Sequence, residues 1–550
     1  MVDLIFSAGP VFTASAVRER PTAVAVTDGR IVAVGHDEVL DLATSSTERV
    51  DLAGRLLMPG FQDVHVHPVF AGVDLLRCDL SDLFSAEDCL ARIADYARAH
   101  PDLEWIVGGG WSMAAFPGGT PTAEALDAVV GDRPAYLPNR DGHGAWASSA
   151  ALRLAGIDAG TPDPVDGRIE RDSAGRPTGT LHEGAMSLVT KLLPATTEQE
   201  AYDGLLLAQS QLHAWGVTSW QDAIIGDVGD GVDPGAAYLR AEADGRLTGR
   251  VVGALWWDRG RGLEQIPELV ERRATQMRDR FRPTSIKIMA DGVAENYTAA
   301  MIEPYCDGHG HPTDNSGISF VPPEVLLPAA AALDAEGFQL HFHAIGDRAV
   351  REALDAVEHA LTVNGRRDAR HHIAHIQVIH PDDIARFRDL GVAANMQTLW
   401  AALEAQMVEL TLPFLGEPRG SWQYPFGDLH RSGAVLAAGS DWAVSTADPW
   451  PAIHVAVNRQ VPEEHREDDV EHPVFLPDQR LDLGTALTAY TAGSAYVNHL
   501  DDTGTIRPGA LADLVVLDRD PFAEPADQIG STRVLQTFVD GRRVFAADDA

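Results

Sequence analysis

Asp63-Val64-His65-Val66-His67-Pro68 follows the apolar run Leu56–Phe61 and has the pattern of a strand end. Alternate residues of a β-strand point to the same side, so His65 and His67 present two imidazoles next to each other. Two adjacent imidazoles at the end of a strand can hold a metal ion. The stretch therefore predicts a buried strand that delivers metal ligands at its carboxyl end.

Two more His-x-His pairs occur among the 21 histidines of this 550-residue chain. His341 and His343 again end an apolar strand, whereas His309 and His311 lie in a loop rich in glycine and proline. This spacing arises about once by chance in a chain with so many histidines. Position on a strand therefore separates the metal candidates from the loop pair, which is predicted to lie at the surface.

Lys287 is one of only two lysines in the chain, although 43 residues are lysine or arginine. It lies in the short apolar strand Ser285–Met289, where burying a charged ammonium is unfavourable. An ion-paired or snorkelling lysine would be the structural explanation. A desolvated lysine, however, has a lowered pKa, and its neutral amine can capture carbon dioxide as a metal-binding carbamate. We favour this chemical interpretation.

The composition excludes several classes of partner. A net charge of −38 argues against binding to nucleic acid or to an anionic membrane. The three cysteines show no paired spacing, which is typical of reduced cysteines in a cytosolic protein. The N-terminus lacks the basic segment of a signal peptide, and no apolar run is long enough for a transmembrane helix. We therefore expect a cytoplasmic protein.

Both ends of the chain carry β-hairpin signals. Asp28-Gly29 separates the strand patterns Ala23–Thr27 and Arg30–Val34, and an Asp-Gly dipeptide favours a type I′ turn. Asp540-Gly541 joins two similar runs near the other end. Neither end can bury a core alone, so residues 1–58 and 500–550 are predicted to pair into one composite β-sandwich domain.

Between the ends, helices that stop at a glycine alternate with short apolar strands. Thr197-x-x-Glu200 is a capping box at the start of one such helix, which ends before Gly216. The eight candidate strands are 61–67, 217–221, 251–255, 285–289, 338–343, 371–377, 392–397 and 434–439. Eight strand–helix units predict an α/β protein with a (β/α)8 barrel of the TIM type over residues 59–499. A doubly wound parallel sheet is the alternative.

Active-site residues of such a barrel lie at the carboxyl ends of its strands. Five of the predicted strands end in side chains that can bind a metal: His65 with His67, Lys287, His343, His375 and Asp441. Each has an ordinary explanation by itself, since a buried histidine is often structural and Asp441 could cap a helix. Agreement across five strands favours a metal site.

The sequence resembles the amidohydrolase superfamily, and within it the amidohydrolase-3, YtcJ-like group, which includes N-substituted formamide deformylase. The resemblance covers most of the chain. Five phrases carry it: LMPGFQDVHVHP at 57–68, IKIMADG at 286–292, HAIGDRA at 343–349, GSD at 439–441 and GALADLVVL at 509–517. It implies a metal-dependent barrel with a β-sandwich built from both termini.

The same resemblance implies roles for the strand-end residues. It implies two divalent metal ions, each bound by a pair of histidines: His65 with His67, and His343 with His375. Carboxylated Lys287 would bridge them, and Asp441 would bind metal and shuttle protons. Zinc is the first expectation, at one or two ions per chain, because histidine and carboxylate ligands suit it. A metal-activated hydroxide would then attack the scissile carbonyl.

Two positions depart from the pattern of the group. The group usually has a glutamate directly before the ligand histidine of the sixth strand, whereas this chain has Ala374. By strand alternation His371 shares a face with His375, so it is either a substitute orienting group or a buried core residue. By the same alternation, His341 could lie one layer below His343 in the barrel.

Residues 70–195 are too many for an ordinary βα loop and are predicted to form an insertion that acts as a lid. Its glycine- and aromatic-rich phrases, 108–111 and 139–146, are similar to the substrate-side insertion of the group. His143 is the first candidate for contact with substrate, with Trp111 behind it, although such a tryptophan is more often a core residue. The other candidates for the same mouth are Asp291, Tyr305 and Trp442.

These features predict a hydrolase that cleaves a non-peptide carbon–nitrogen bond, such as that of an amide or formamide with an apolar substituent. A deaminase or a cyclic-amide hydrolase could use the same metal set. A catalytically inactive binding scaffold is the alternative from another class, although a scaffold has no need for Lys287 in a lysine-poor chain. The expected partner is a small-molecule amide, and the chain could form a homodimer.

Overall fold

Eight parallel strands, each beside its neighbour in sequence, form the central sheet. The structure is a computed structural model that describes residues 1–15, 20–226, 233–463 and 472–548. The strands are β1 (Phe61–Val66), β2 (Val217–Ile225), β3 (Arg250–Trp256), β4 (Phe281–Met289), β5 (Gln339–Ala344), β6 (His372–His375), β7 (Ala393–Met396) and β8 (Leu436–Ala438). Every neighbouring pair is parallel, from β1 through to β8.

The two edges of this sheet meet and close it into a barrel. Asp441 N donates a hydrogen bond to His65 O at 2.7 Å, and His67 N donates to Trp442 O at 2.8 Å. The chain after β8 therefore pairs with the end of β1. All eight predicted strands are present, so the (β/α)8 barrel is confirmed and the doubly wound sheet is excluded.

Helices connect the strands and surround the barrel. The predicted capping box is present, because Thr197 Oγ1 accepts from Glu200 N while the Glu200 carboxylate accepts from Thr197 N. Two helices end at glycines, Gly391 and Gly433, which adopt the left-handed conformation that glycine permits, with φ of 76° and 86°. None of the described helices combines the length and apolarity needed to cross a bilayer.

The helices are Pro68–Leu75, Ala86–Ala99, Ala123–Val130, Ser149–Ala155, Ser187–Thr190, Glu198–Ala214, Pro234–Ala243, Ile266–Gln276, Pro323–Ala335, Asp347–Asn364, Ile384–Leu390, Leu412–Leu415, Phe426–Ser432, Pro449–Asn458, Leu483–Thr488 and Ser494–Val497. Those that follow barrel strands pack their apolar faces on the outside of the sheet, in one continuous core. Short 3-10 and π segments complete the connections.

Both termini build a β-sandwich beside the barrel. One sheet contains Leu4–Ser7, Ala23–Thr27, Arg30–Gly35 and Glu48–Asp51. The other contains Leu57–Pro59, Leu514–Leu517, Val534–Val539 and Arg542–Ala546. Phe6 and Phe538 pack edge to face between the sheets with ring centroids 5.0 Å apart. The composite sandwich predicted from the two ends is therefore present.

The chain between β1 and β2 builds a third unit with its own six-strand sheet. Its strands are Cys78–Asp79, Ile106–Gly109, Ala135–Pro138, Gly144–Ala147, Gly167–Arg171 and Pro177–Glu183. Two apolar clusters give this insertion a core of its own. The segment after β4 holds it against the barrel, because Asn296 Nδ2 donates to His143 O at 2.9 Å and Thr298 Oγ1 donates to Glu183 at 2.8 Å. The insertion therefore reaches the carboxyl ends of the barrel strands.

Candidate metal centre

His65, His67 and Asp441 meet at the carboxyl ends of β1 and β8. Asp441 Oδ1 lies 3.3 Å from His65 Nε2 and 2.9 Å from His67 Nε2. The three side chains offer ligand atoms that all lie within 4.8 Å of one another. Such a group of two imidazoles and one carboxylate can bind a divalent metal.

Local backbone pairing holds this group in place. Asp441 N bonds to His65 O across the closing seam, and the φ of Asp441 is 57°. Behind it, the Asp63 carboxylate accepts hydrogen bonds from His65 N at 3.0 Å and from Ser440 N at 3.1 Å. Burial raises the pKa of Asp63 to about 7, against the effect of these hydrogen bonds. Asp63 therefore ties the two strand ends together from below the metal-competent side chains.

Lys287 lies near the end of β4 and points its amine into the same group. Its Nζ lies 3.1 Å from His65 Nε2, and only 2% of the residue is exposed. Burial lowers the pKa of Lys287 to about 7, although the nearby Asp441 carboxylate acts to raise it. A substantial fraction of this amine is therefore neutral near pH 7, the form that can react with carbon dioxide.

His343 and His375 bring a second pair of imidazoles to the group. Their ring centroids lie 4.4 Å apart, and the His375 ring lies 4.7 Å from that of His65. Burial, followed by the charge of neighbouring groups, holds the pKa of both residues well below the ordinary value. Both are therefore neutral imidazoles with a lone pair available, as metal binding requires.

Unpaired nitrogen atoms support the fit of a metal to this donor set. Among the described residues, Nδ1 of His67, His343 and His375 is buried without a hydrogen-bond partner. His343 Nδ1 lies 3.2 Å from Asp291 Oδ1, but the angle is not that of a hydrogen bond. Leaving a buried polar group unpaired costs about 1–3 kcal/mol. His375 Nδ1 lies 3.8 Å from Asp441 Oδ2 without a hydrogen bond, so a cation bound at this carboxylate would give that nitrogen a partner.

The Asp441 carboxylate is held in its ionised form. Burial acts to raise its pKa, but His65, through electrostatic interaction and a hydrogen bond, followed by the hydrogen bond of His67 and the electrostatic interaction with His375, holds the pKa well below the usual value. An ionised carboxylate beside neutral imidazoles can bind a cation and can accept a proton. These are the two properties that the resemblance to the amidohydrolase group implies for Asp441.

The insertion contributes an ion pair to the edge of this centre. His143 Nδ1 lies 3.0 Å from both oxygens of Glu183, and the His143 ring centroid lies 5.5 Å from that of His343. Burial acts to lower the pKa of His143, but the carboxylates of Glu183 and Asp141 raise it to about 9. His143 therefore carries a positive charge at neutral pH, and its Nε2 remains available because Nδ1 is held by Glu183.

Two of the predicted substrate contacts lie in apolar cores instead. Trp111 is fully buried among residues of the insertion, and its Nε1 donates to Leu137 O at 2.7 Å. Tyr305 is 1% exposed, and its hydroxyl donates to Ala299 O at 2.9 Å. Each polar atom is already satisfied in a packed environment, so only the rings of these two residues could take part in a substrate contact, which stays a prediction.

The other two predicted contacts lie closer to the centre. Asp291 accepts hydrogen bonds from three backbone N–H groups, those of Ala300, Ile345 and Gly346. It therefore shapes the loops after β4 and β5, beside His343. Trp442 follows Asp441 directly and packs edge to face on Trp215, with ring centroids 5.4 Å apart. Neither placement tests a contact with substrate, which stays a prediction.

The sixth strand differs from the alternation that the sequence predicts. His371 does not share the face of His375; it accepts a hydrogen bond from Leu340 N at 3.0 Å and lies 3.4 Å from Asp334. His372 points into the barrel instead, where its Nε2 pairs with Gln221 Oε1 at 3.0 Å. Positive φ values at Arg370 and His375, of 52° and 73°, lie on either side of this segment, and such turns of the backbone do not keep the two-residue period of a regular strand. His371 is therefore a core residue, not an orienting group.

Two residues near the centre, Glu183 and Trp400, were not predicted from the sequence. Trp400 stacks on the His375 ring with centroids 5.5 Å apart and planes 12° apart, so it packs against one face of this imidazole. Its position after β7 was the only signal that could have found it. Glu183 gave no signal from spacing, because folding of the insertion alone brings it to His143.

Known proteins are similar to this chain in sequence and in fold. The model of the amidohydrolase family matches residues 48–545. YtcJ of Bacillus subtilis (strain 168) is 31% identical over 551 residues, which cover 98% of this chain and 99% of YtcJ. An N-substituted formamide deformylase of Arthrobacter pascens is 27% identical over 555 residues, 98% of each chain. A solved metal-dependent hydrolase from Pyrococcus furiosus, itself uncharacterized, matches with a TM-score of 0.70 and 26% identity, over 94% of this chain and 99% of that chain.

Proposed function

Because this chain belongs to the amidohydrolase family, we propose that it is a metal-dependent hydrolase that cleaves the carbon–nitrogen bond of a small amide or formamide. The finer part of this proposal, the bond type, draws support from the relative that is named for the deformylation of N-substituted formamides. The observation that carries the proposal is the Asp441 carboxylate between the Nε2 atoms of His65 and His67.

Six residues at the carboxyl ends of the barrel strands would hold the metal: His65, His67, His343, His375, Asp441 and carboxylated Lys287. Zinc suits this set of imidazole and carboxylate donors. A divalent metal bound there would lower the pKa of water to about 7 and polarise a carbonyl group. The half-neutral amine of Lys287, beside His65 Nε2, supports formation of the carbamate.

Protein groups supply the proton transfers and the orientation of substrate. The Asp441 carboxylate takes a proton from the attacking water and returns it to the leaving nitrogen, which is general acid–base catalysis by one buried group. His143, held charged by Glu183, presents Nε2 as a donor toward the carbonyl oxygen of the substrate. Asp441 is buried, with 5% of the residue exposed, and the His143 side chain is 13% exposed, which limits the access of bulk water to these contacts.

Metal content and a substrate panel test the proposal. The protein would be purified in bicarbonate without chelator, analysed by plasma mass spectrometry and assayed with N-substituted formamides, acyclic amides, cyclic amides and amino heterocycles. We expect about one or two zinc ions per chain and turnover of an acyclic amide or formamide. Asp441→Asn should abolish turnover, whereas His309→Ala, in an exposed loop, should change nothing.

Two other results of these measurements would lead to different conclusions. Turnover of only cyclic amides or amino heterocycles would assign the alternative chemistry of the same metal set. A purified chain that neither contains nor takes up a divalent metal, and turns over nothing in the panel, would contradict the proposal and support a binding scaffold.

A further inference from the structure

We propose that His341 is a positioning residue that holds His65 in the tautomer needed for metal binding, by accepting a hydrogen bond from His65 Nδ1. The inference rests on the proposed metal-binding function. Its evidence is the arrangement of buried side chains one layer below the metal-competent group, which nothing in the hydrolytic mechanism above uses.

His341 contacts the ring nitrogen of His65 that faces away from the metal-competent group. Its Nε2 lies 2.8 Å from His65 Nδ1, and both side chains are buried inside the barrel. The opposite nitrogen of His65 faces the centre, because Nε2 lies 3.1 Å from Lys287 Nζ and 3.3 Å from Asp441 Oδ1. His65 is therefore oriented with Nε2 toward the metal-binding space and Nδ1 toward His341.

This orientation settles which atom is the donor. A neutral imidazole carries one proton, and a nitrogen that binds a metal must present its lone pair. When His65 Nε2 serves as the ligand, the proton is on Nδ1, and Nδ1–H donates to His341 Nε2. His341 must then be unprotonated at Nε2. Ligand histidines in other metal sites usually donate the same proton to a carboxylate or a backbone carbonyl, which fixes the ring and its tautomer.

The neighbouring histidine of the same layer has a different set of partners. His372 lies beside His341 with ring centroids 4.1 Å apart. Asn395 Nδ2 pairs with His372 Nδ1 at 3.1 Å, and His372 Nε2 pairs with Gln221 Oε1 at 3.0 Å. Both nitrogens of His372 are thus occupied by amide side chains. It has no hydrogen bond to His65 among the described contacts.

Apart from its contact with His65, His341 makes no hydrogen bond inside the barrel among the described residues. Its Nδ1 is buried without a hydrogen-bond partner among the described residues, so its only polar contact is the one with His65. An apolar side chain would fill the same space without an unpaired nitrogen. The contact with the ligand histidine is therefore the feature that gives an imidazole at this position a purpose.

Zinc affinity of matched variants tests the inference. Dissociation constants would be measured by chelator competition on metal-stripped wild type, His341→Leu, His341→Gln and His372→Gln, with thermal unfolding of each metal-free protein as a check of folding. We expect His341→Leu to weaken zinc binding by about 10–100-fold. His341→Gln, which keeps an acceptor oxygen, should restore most of the affinity, and His372→Gln should bind zinc as the wild type does.

The outcomes separate this inference from the proposed function. If the wild type binds zinc and His341→Leu binds it equally tightly, the role of His341 is wrong while the metal site stands. If the wild type binds no divalent metal, both are wrong.

If His341→Leu does not fold, nitrogen-15 NMR of histidine-labelled, zinc-loaded wild type decides instead, with the His341→Gln spectrum for assignment. An unprotonated Nε2 on His341 supports the role, and a protonated Nε2 overturns it.

Discussion

His375, Asp441 and Glu183 adopt left-handed backbone conformations, with φ of 73°, 57° and 50°. Non-glycine residues in this region cost about 1–3 kcal/mol each and persist only where the surrounding structure holds them. Here each strained residue aims its side chain at the metal centre or at the ion pair beside it. At His375 the left-handed conformation also departs from the regular strand geometry on which simple alternation depends.

The ion pair of the insertion gives a pH-dependent prediction for Glu183→Gln. The carboxylate raises the pKa of His143 to about 9, and an amide cannot do so. We expect the pKa of His143 to fall in the variant, because burial is then opposed only by the remaining carboxylates of Asp141 and Asp441. Carbon-detected NMR titration of the histidine ring in both proteins measures this shift. Turnover should fall about 10²-fold or more if His143 must be charged.

The raised pKa of His143 also determines the pH range in which the ion pair with Glu183 stabilises the folded protein. A histidine whose folded pKa is raised above 6.5 contributes stability that is complete below that pH and is lost as the pH rises through about 9. The difference in unfolding free energy between wild type and Glu183→Gln should therefore shrink between these values. Asp307→Asn, which breaks the exposed pair with His311, serves as the control and should show no such trend. An unchanged His143 titration in Glu183→Gln would show that the pair does not set its charge.

At the scale of elements, local sequence patterns predicted where strands and helices lie. They did not predict which distant residues come into contact. The strand ends at His65 and His67, and the helix beginning at Glu198, follow from spacing and capping alone. Residues that meet only through the fold were not accessible to this reasoning. Glu183 reaches His143 across the insertion sheet, and Trp111 is buried by partners that no local pattern identifies. The missing information was tertiary contact, not residue chemistry.

The helix Pro68–Leu75 begins directly after His67 and crosses the helix Glu198–Ala214 at a glycine contact. A Cβ on Gly72 would lie only 1.9 Å from Gly204 O, so the helices can approach this closely only with glycine there. We predict that Gly72→Ala lowers the free energy of unfolding by about 1–3 kcal/mol or more through overpacking, measured by chemical denaturation.

A second glycine provides the control for this helix contact. Gly484 lies in the helix Leu483–Thr488, where a new Cβ would meet a single atom, Asp482 Oδ1, at 3.2 Å. Gly484→Ala should be close to neutral or slightly stabilising, because alanine favours a helix by about 1 kcal/mol over glycine. Equal destabilisation by both substitutions would mean that the helix contact at Gly72 is not the cause.

At the scale of the whole molecule, a charge network joins the amino-terminal end of the barrel to the composite sandwich. Arg250, at the start of β3, pairs with Asp513 and Asp540, and Arg280 also pairs with Asp540. Asp540 N donates to Asp513 Oδ1 at 2.8 Å, which links the two carboxylates through the backbone. The network lies at the end of the strands opposite the metal centre. Its role is therefore to fix the sandwich on the barrel and not to take part in catalysis.

Asp513→Ala should separate that structural role from the chemistry of the metal centre. The Asp513 side chain is 2% exposed, and its removal leaves the mostly buried Arg250 with one partner fewer, so we expect a loss of about 3–5 kcal/mol in unfolding free energy. Asp502→Ala breaks an ion pair of the same domain whose side chains are 49% and 47% exposed, and it should cost about 1 kcal/mol or less. Zinc content per folded chain should stay at the wild-type value in both variants, because neither aspartate lies near Asp441. A loss of zinc from folded Asp513→Ala would instead mean that the seating of the sandwich is transmitted through the barrel strands to the ligands at their far ends.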